Sequence, residues 1–152
     1  MRITVAKFAG FCYGVRRAVE LAEAAARSPN PCVMLGPVIH NRSMIRRLQA
    51  QRVEVVERPE DVPEGAAVIL RSHGESAAVH RQLQERSIPV VDTTCPNVSH
   101  IHRLVAQAEN EGRTVIIIGA PEHPEVQAIA GWCGDPLIFS DGGALKKYLL
   151  DH

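Results

Sequence analysis

The sequence lacks a charge excess of either sign, any long hydrophobic run and any compact set of cysteine and histidine residues. Lys plus Arg and Asp plus Glu both total 17 in 152 residues, so the formal net charge is zero. Because there is neither a basic field nor a charged tail, no nucleic-acid partner is expected. Apolar runs such as Val115–Gly119 are far too short to span a bilayer, so no membrane partner is expected either.

The N-terminus also lacks the features of a targeting segment, because the chain enters a strand-like pattern at once. We therefore expect a cytoplasmic protein. In such a reducing compartment, scattered cysteines are packing residues, metal ligands or redox groups more often than disulfide partners. No cysteine and histidine spacing resembles a zinc finger, so a zinc protein is the weaker alternative. The four cysteines are Cys12, Cys32, Cys95 and Cys133.

What the sequence does contain is a regular alternation of short apolar runs and helical stretches. The runs are continuous rather than strictly alternating, as expected for parallel strands that are covered on both faces. This pattern predicts an α/β fold with mainly parallel sheets and flanking helices. The predicted strands are Ile3–Ala6, Cys32–Leu35, Val53–Val56, Val68–Leu70, Pro89–Val91, Thr114–Ile118 and Leu137–Phe139.

The predicted helices lie between these strands. Asn41 is a candidate N-cap, Gly112 a candidate C-terminal glycine and Pro124 a first-turn residue, while Ser140 or Asp141 is expected to begin the last helix. The segment Thr94–Pro96 is a candidate seam, which divides the chain into a first α/β lobe over 1–95 and a second over 96–152. The helices are expected over 14–27, 41–50, 76–86, 97–111, 124–130 and 141–150.

A cysteine or histidine follows five of the seven predicted strands within a few residues. In open α/β sheets, ligands bind in the crevice beyond the carboxyl ends of the strands. Convergence of these side chains at one sheet edge is difficult to attribute to packing alone. The sequence therefore predicts a site there, built from Cys12, His40, His73, Cys95 and His123.

The three histidines and the two cysteines suggest different chemistry. His40, His73 and His123 lie near predicted helix N-termini, where backbone and imidazole N–H groups can cradle phosphate oxygens. Cys12 stands between glycine residues, and Cys95 precedes a proline that can open a helix, a position that favours thiolate and metal binding. Taken one at a time, each histidine can also be an exposed or capping residue, and each cysteine is better explained as an inert buried residue.

Glu125 is a candidate proton donor, because a carboxyl group near a desolvated site can keep its proton. The simpler reading is an acidic residue that the helix dipole favours in a first turn. The remaining histidines have no comparable placement. Val98, Ile101 and Val105 are taken as the apolar side of one helix, so His100 and His102 on that helix are predicted to lie at the surface. His80 and His152 have no assigned role, and Cys32 and Cys133 are predicted packing residues.

Five motifs, in this order and spacing, resemble those of the 4-hydroxy-3-methylbut-2-enyl diphosphate reductase (LytB/IspH) family. The resemblance runs through the whole chain, and Gly131–Cys133 is also similar to some bacterial members. The motifs are Ala9–Val19, Val38–Asn41, Arg71–Gly74, Asp92–Pro96 and His123–Val126.

This resemblance implies three similar α/β lobes around a [4Fe–4S] cluster that is held by three cysteines, of which Cys12 and Cys95 match two. It implies that His40, His73 and His123 bind the diphosphate of an allylic substrate and that Glu125 delivers protons. The implied reaction is a two-electron reductive dehydroxylation that gives isopentenyl and dimethylallyl diphosphates. A ferredoxin- or flavodoxin-like protein is the implied electron donor.

The match is to the N-terminal portion of the family, since the third cluster cysteine lies further downstream and neither Cys32 nor Cys133 takes its place. We therefore expect a truncated chain that is inactive by itself. Its second lobe is expected to be incomplete, and residues 1–13 are expected to pack with a missing third lobe. Two alternatives stay open: a non-catalytic diphosphate-binding module, and one half of a split reductase that a second chain completes.

Overall fold

The computed structural model describes residues 1–151 and contains two parallel β-sheets with helices packed against them. The elements alternate along the chain, as the hydrophobic pattern predicts. In order they are α1 (Tyr13–Ala26), β1 (Cys32–Leu35), α2 (Arg42–Gln49), β2 (Glu54–Val56), a 3₁₀ turn (Pro59–Asp61), β3 (Ala67–Ile69), α3 (Ala77–Glu85), β4 (Val90–Val91), α4 (Pro96–Asn110), β5 (Ile116–Ile118), α5 (Pro124–Ala130), β6 (Leu137–Phe139) and α6 (Gly142–Asp151).

The first sheet has the strand order β2-β1-β3-β4, and each pair of neighbours is parallel. β1 is central and its residues are all buried, which explains its unbroken apolar sequence. Alternate side chains enter two cores: Met34 and Ile69 pack toward α1 and α2, whereas Leu35 and Val68 pack on the other face, where Leu83 of α3 lies. Successive side chains of a strand point to opposite faces, so both faces require apolar residues.

Local sequence fixes where several helices begin and end. The Asn41 side chain accepts a hydrogen bond from Met44 N at 3.1 Å and caps α2, as predicted. Gly112 follows α4 with a φ of +68°, and its N–H donates to Glu109 O at 2.8 Å. That left-handed conformation costs a glycine little, so the predicted C-terminal glycine is confirmed.

The second sheet consists of β5 and β6, which are parallel, with Ile117 opposite Ile138. α5 connects the two strands and begins at Pro124, as predicted. Asp141 Oδ1 accepts hydrogen bonds from the backbone N–H of Gly143 at 2.8 Å and of Ala144 at 2.9 Å, and it caps α6. The expected α/β class, with parallel sheets and flanking helices, is confirmed. The expected division at residues 95/96 falls between β4 and α4 and stays a prediction.

One predicted strand is wrong. Residues 1–12 form neither helix nor strand, although Ile3–Ala6 has a strand-like sequence. Ile3 and Val5 are each 76% exposed, and no strand of residues 1–151 pairs with this segment. A β-strand needs a neighbour for its backbone hydrogen bonds, and the segment has none here.

In residues 1–151, no helix is both long enough and apolar enough to cross a membrane.

Candidate functional site

The loops that follow β1, β3 and β4 lie side by side at the carboxyl edge of the first sheet. Backbone hydrogen bonds join them: Ser72 N donates to Val38 O, and Cys95 N donates to Ser72 O, both at 2.9 Å. The buried Thr93 hydroxyl donates to Leu70 O at 2.5 Å and so joins the loop after β4 to the loop after β3. The sheet pattern thus continues past the strands, and the three loops hold His40, His73 and Cys95 in fixed relative positions.

Three histidine rings meet at this edge. The ring centroids of His40 and His73 are 4.7 Å apart, those of His73 and His123 are 5.7 Å apart, and those of His40 and His123 are 6.3 Å apart. We call these residues the histidine trio. The first two come from the loops of the first sheet and the third from the N-terminus of α5, so the trio joins the two sheets.

His73 is the most enclosed member of the trio. Its pKa is lowered from 6.5 to about 4, first by burial and then by the nearby charges of His40, His123 and Arg71. The ring is therefore neutral at pH 7. Its buried Nδ1 has no hydrogen-bond partner among residues 1–151. A neutral imidazole with an unpaired ring nitrogen can donate to or accept from a ligand without displacing a protein partner.

His123 is held by the helix it begins. Its Nδ1 accepts a hydrogen bond from Glu125 N at 3.2 Å, so the imidazole itself is the N-cap of α5. This bond makes Nδ1 the acceptor, and the neutral ring then carries its proton on Nε2. The exposed Nε2–H is thus available as a donor to a ligand. Glu125 is half-buried in the first turn of α5.

The two predicted metal-binding cysteines begin the two longest helices. Cys12 is exposed and precedes α1, whereas Cys95 is half-buried and precedes α4, and neither side chain makes a capping hydrogen bond. The two helix N-termini meet, since the Arg17 side chain donates to Thr94 O at 3.1 Å. An ideal Cβ placed at Gly14 would lie 2.6 Å from Cys95 Sγ. The absence of a side chain at Gly14 therefore leaves the space that the Cys95 thiol occupies. Cys12 is positioned at this edge by α1, the helix that follows it, because no strand precedes it in residues 1–151.

These thiols fit part of an iron–sulfur site. Within residues 1–151, neither sulfur atom makes a capping hydrogen bond, and both lie at helix N-termini, where partial positive charge favours an anionic group. No group of three or more potential metal ligands lies together in the part of the chain that the structure describes. The predicted cluster takes three cysteine ligands, so it would need a further ligand from outside residues 1–151.

A buried ion pair beside His73 was not predicted from the sequence. Arg71 Nε lies 2.6 Å from Glu75 Oε1, and both side chains are largely shielded from solvent. The guanidinium packs against Gly36, whose φ is +65° and whose ideal Cβ would lie 2.9 Å away. Burial raises the pKa of Glu75, and Arg71 opposes that shift. Sequence spacing offered no signal for this pair, because a four-residue spacing brings opposite charges together on a helix, whereas Arg71 and Glu75 lie in the loop before α3.

His102 is not a surface residue, and that prediction is wrong. Its side chain is 4% exposed and stacks on Trp132, with ring centroids 5.2 Å apart and an interplanar angle of 21°. Ile101 is 38% exposed, so the buried face of α4 runs through Val98, His102 and Val105 instead. That i, i+4, i+7 spacing was present in the sequence but was assigned to the wrong residues.

The other sequence assignments are less consequential. His100 is exposed and Cys32 is buried, as predicted. Cys133 is half-buried, and its thiol contacts Ala130 O at 3.6 Å. His80 is half-buried against Trp132, with ring centroids 5.6 Å apart. His152 lies outside the described residues.

These features define an α/β protein with parallel sheets and a candidate ligand site at a sheet edge, where histidine rings cluster and two cysteines hold helix N-cap positions. The family described as LytB protein matches residues 3–151, and the chain belongs to this family, as the motifs predicted.

Curated relatives and solved structures agree with this assignment. The chain is 36% identical to 4-hydroxy-3-methylbut-2-enyl diphosphate reductase of Clostridioides difficile (strain 630), over 91% of this chain and 50% of the relative. It is 39% identical to the enzyme of the same name from Geobacter sulfurreducens, over 90% of this chain and 48% of the relative.

A solved structure of (E)-4-hydroxy-3-methyl-but-2-enyl diphosphate reductase is 37% identical, with a TM-score of 0.74 over 95% of this chain and 54% of that one. The Plasmodium falciparum reductase structure is 27% identical, with a TM-score of 0.82 over 93% of this chain and 45% of that one. The chain therefore spans about half the length of the relatives it matches.

Proposed function

We propose that the described residues form the diphosphate-binding part, and two ligands of the cluster site, of a 4-hydroxy-3-methylbut-2-enyl diphosphate reductase. The observation that carries this proposal is the histidine trio, in which three rings lie within 4.7 to 6.3 Å of one another at the carboxyl edge of a parallel sheet. Three imidazole groups from separate loops can present ring N–H donors to a polyanionic ligand, and no group of three or more potential ligands in residues 1–151 is arranged to hold a metal ion.

The trio would bind the diphosphate through ring N–H donors. The Nε2–H of His123 is oriented by the cap of α5, because its Nδ1 is already occupied by Glu125 N. His73 enters the complex neutral, since its pKa is about 4 in the free protein. A diphosphate beside this ring would favour its protonated form and raise that pKa, so binding would take up protons.

Cys12 and Cys95 are the proposed ligands for a [4Fe–4S] cluster, and the thiol of Cys95 occupies the space that Gly14 leaves. When bound, the cluster supplies the electrons for the reaction. The overall change removes the substrate hydroxyl group: the C–O bond breaks, two electrons and two protons are consumed, and water leaves. Glu125, two residues from His123, is the proposed proton donor. A ferredoxin- or flavodoxin-like protein is the proposed source of electrons.

We further propose that residues 1–95 and 96–152 are two lobes of a larger reductase and that residues 1–13 pack with another part of it. Phe8 is 91% exposed, and it lies in the same unpaired segment as Ile3 and Val5. Apolar side chains in that number are rarely left in water unless another surface covers them. The 152-residue chain is then inactive alone, and the missing part is supplied by further sequence or by a second chain. The proposed compartment is the cytoplasm.

The first test is calorimetric titration with inorganic pyrophosphate, which needs no cluster. We expect micromolar binding that His73→Ala weakens at least tenfold. His100→Ala, a change of the same type at an exposed position, is the control. Absence of binding in the unaltered chain would remove the diphosphate assignment.

The second test is anaerobic cluster reconstitution followed by a reductase assay. We expect less than one [4Fe–4S] per chain and no turnover for the chain alone, and recovery of both when the remaining part of the reductase is added. A non-catalytic diphosphate-binding module would bind pyrophosphate yet gain no activity on that addition. Stoichiometric cluster with turnover in the chain alone would contradict the proposal that it is incomplete.

A further inference from the structure

We infer that His102 and Trp132 are positioning residues for the histidine trio: together they hold the turn that carries His73 against the helix that carries His123. The inference rests on the proposed function, because the purpose of this spacing is diphosphate binding. Neither side chain belongs to the trio. The evidence lies in contacts on the far side of the His73 turn.

The first contact is between the turn and His102. The turn spans Arg71–Gly74 and is closed by Gly74 N, which donates to Arg71 O at 2.9 Å. Gly74 has a φ of +77°, and an ideal Cβ there would overlap His102 Cε1 and lie 3.0 Å from Thr94 Cγ2. The His102 ring therefore packs directly on the backbone of the residue that follows His73. A side chain at residue 74 would push the His102 ring away from the turn.

The second contact joins the same stretch to Trp132. The indole Nε1–H donates to Glu75 O at 2.9 Å, and the indole face stacks on His102 with centroids 5.2 Å apart. Gly131, which precedes Trp132, makes a further bond to this part of the chain: its carbonyl oxygen accepts from Ala77 N at 3.2 Å. The C-terminal end of α5 is thus attached to the chain just after His73.

These contacts determine the distance between two members of the trio. α5 is the rigid connection between His123 at its N-terminus and Gly131–Trp132 at its C-terminus. One end presents a ring to the trio, and the other is bound to the segment that begins at Gly74. If the anchor at Trp132 loosens, α5 can shift relative to the His73 turn. The 5.7 Å separation of the His73 and His123 rings then changes.

The stack depends on a neutral, enclosed imidazole. Burial lowers the pKa of His102, and His80 adds to the effect while Asp92 opposes it. Its Nε2 has no hydrogen-bond partner within residues 1–151. The ring therefore contributes mainly shape and stacking at this position, and phenylalanine is the conservative replacement.

The experiment measures pyrophosphate affinity of the 152-residue chain by calorimetry in four variants. We expect His102→Ala to weaken binding at least fivefold, and Trp132→Phe, which removes the indole donor and part of the stacking surface, to weaken it about threefold. His102→Phe should retain affinity within twofold of the unaltered chain. The exposed His100→Ala on the same helix should leave it unchanged.

A second readout separates positioning from stability. The titration of His73, followed by NMR without ligand and below the unfolding temperature, should move from about 4 toward its ordinary value of 6.5 in His102→Ala. A purely structural role would lower the unfolding temperature but leave both the His73 titration and the affinity of the folded protein unchanged. If His102→Ala does not fold, Trp132→Phe provides the same two measurements.

The outcomes distinguish the two proposals. If the unaltered chain does not bind pyrophosphate, the proposed function fails, while the ligand-free titration of His73 still decides whether His102 fixes the turn. If the unaltered chain binds pyrophosphate, and His102→Ala and Trp132→Phe bind it equally well with His73 titrating as before, the positioning role is refuted.

Discussion

Replacing Gly74 by alanine is expected to be among the most destabilising small changes in this chain. Two independent costs meet at this residue. Its φ of +77° lies in the left-handed region, and the added Cβ would overlap His102 Cε1 while lying 3.3 Å from Nε2 of the same ring. The ring cannot easily retreat, because it is buried and Trp132 stacks on its face with ring centroids 5.2 Å apart.

The magnitude follows from these two costs. A non-glycine residue in the left-handed conformation costs about 1–2 kcal/mol. Forcing an extra methyl group into a closely packed site costs roughly 1–3 kcal/mol. Gly74→Ala should therefore lower the free energy of unfolding by roughly 2–5 kcal/mol in all. That is a large part of the ~5–15 kcal/mol that holds a typical domain together.

Gly65→Ala is the matched control. Gly65 has a φ of +76° and no neighbouring atom within 4 Å of an ideal Cβ, so it bears only the conformational cost. Urea unfolding followed by circular dichroism gives both values, and their difference isolates packing against His102. That difference should shrink when Gly74→Ala is made together with His102→Ala. Equal destabilisation by the two glycine substitutions would refute the close packing of the His73 turn on His102.

Three further predictions concern the site. Pyrophosphate binding at pH 6 should take up protons, because a bound anion raises the pKa of His73 from about 4, and calorimetry in buffers of different ionisation enthalpy measures this; a protonation change of zero would contradict it. Without ligand, the free energy of unfolding should fall as pH drops from about 6.5 toward 4, since the unfolded chain protonates His73 first. The slope should be below about 1.4 kcal/mol per pH unit, because solvent reaches part of the ring, and His73→Phe should flatten it. Gly14→Ala should displace the Cys95 thiol, whose Sγ lies 2.6 Å from the added Cβ, and reduce iron bound on reconstitution. Gly142→Ala, with open space around its Cβ, should not change the iron content.

Much of the fold was readable because the determining interactions are local. The side chain of Asn41 caps α2 by a bond to Met44, three residues away, and the left-handed φ of Gly112 ends α4. The apolar run Cys32–Leu35 requires cover on both faces, whatever supplies it. Parallel strands then bring their carboxyl ends to one edge, which is why His40 and His73 were expected together.

The two wrong predictions, a strand at Ile3–Ala6 and a surface position for His102, both depend on contacts with distant parts of the chain. Ile3–Ala6 has the sequence of a strand, but a strand forms only beside another, and no segment of residues 1–151 lies next to it. The prediction of a surface His102 rested on an apolar helix face through Ile101, whereas the buried face runs through Val98, His102 and Val105. The burial of His102 depends on Trp132, which comes from a distant part of the chain.

The sequence by itself determined the order of helices and strands from residue 13 onward, the parallel sheets and the identity of the residues at their carboxyl edge, because these follow from hydrophobic period and capping chemistry. Only the tertiary structure decided that the three histidine rings lie within 6.3 Å of one another, that burial leaves His73 neutral, and that His102 and Trp132 support its turn. Distances between rings and the loss of water around them depend on packing between remote segments, and periodicity does not encode that packing.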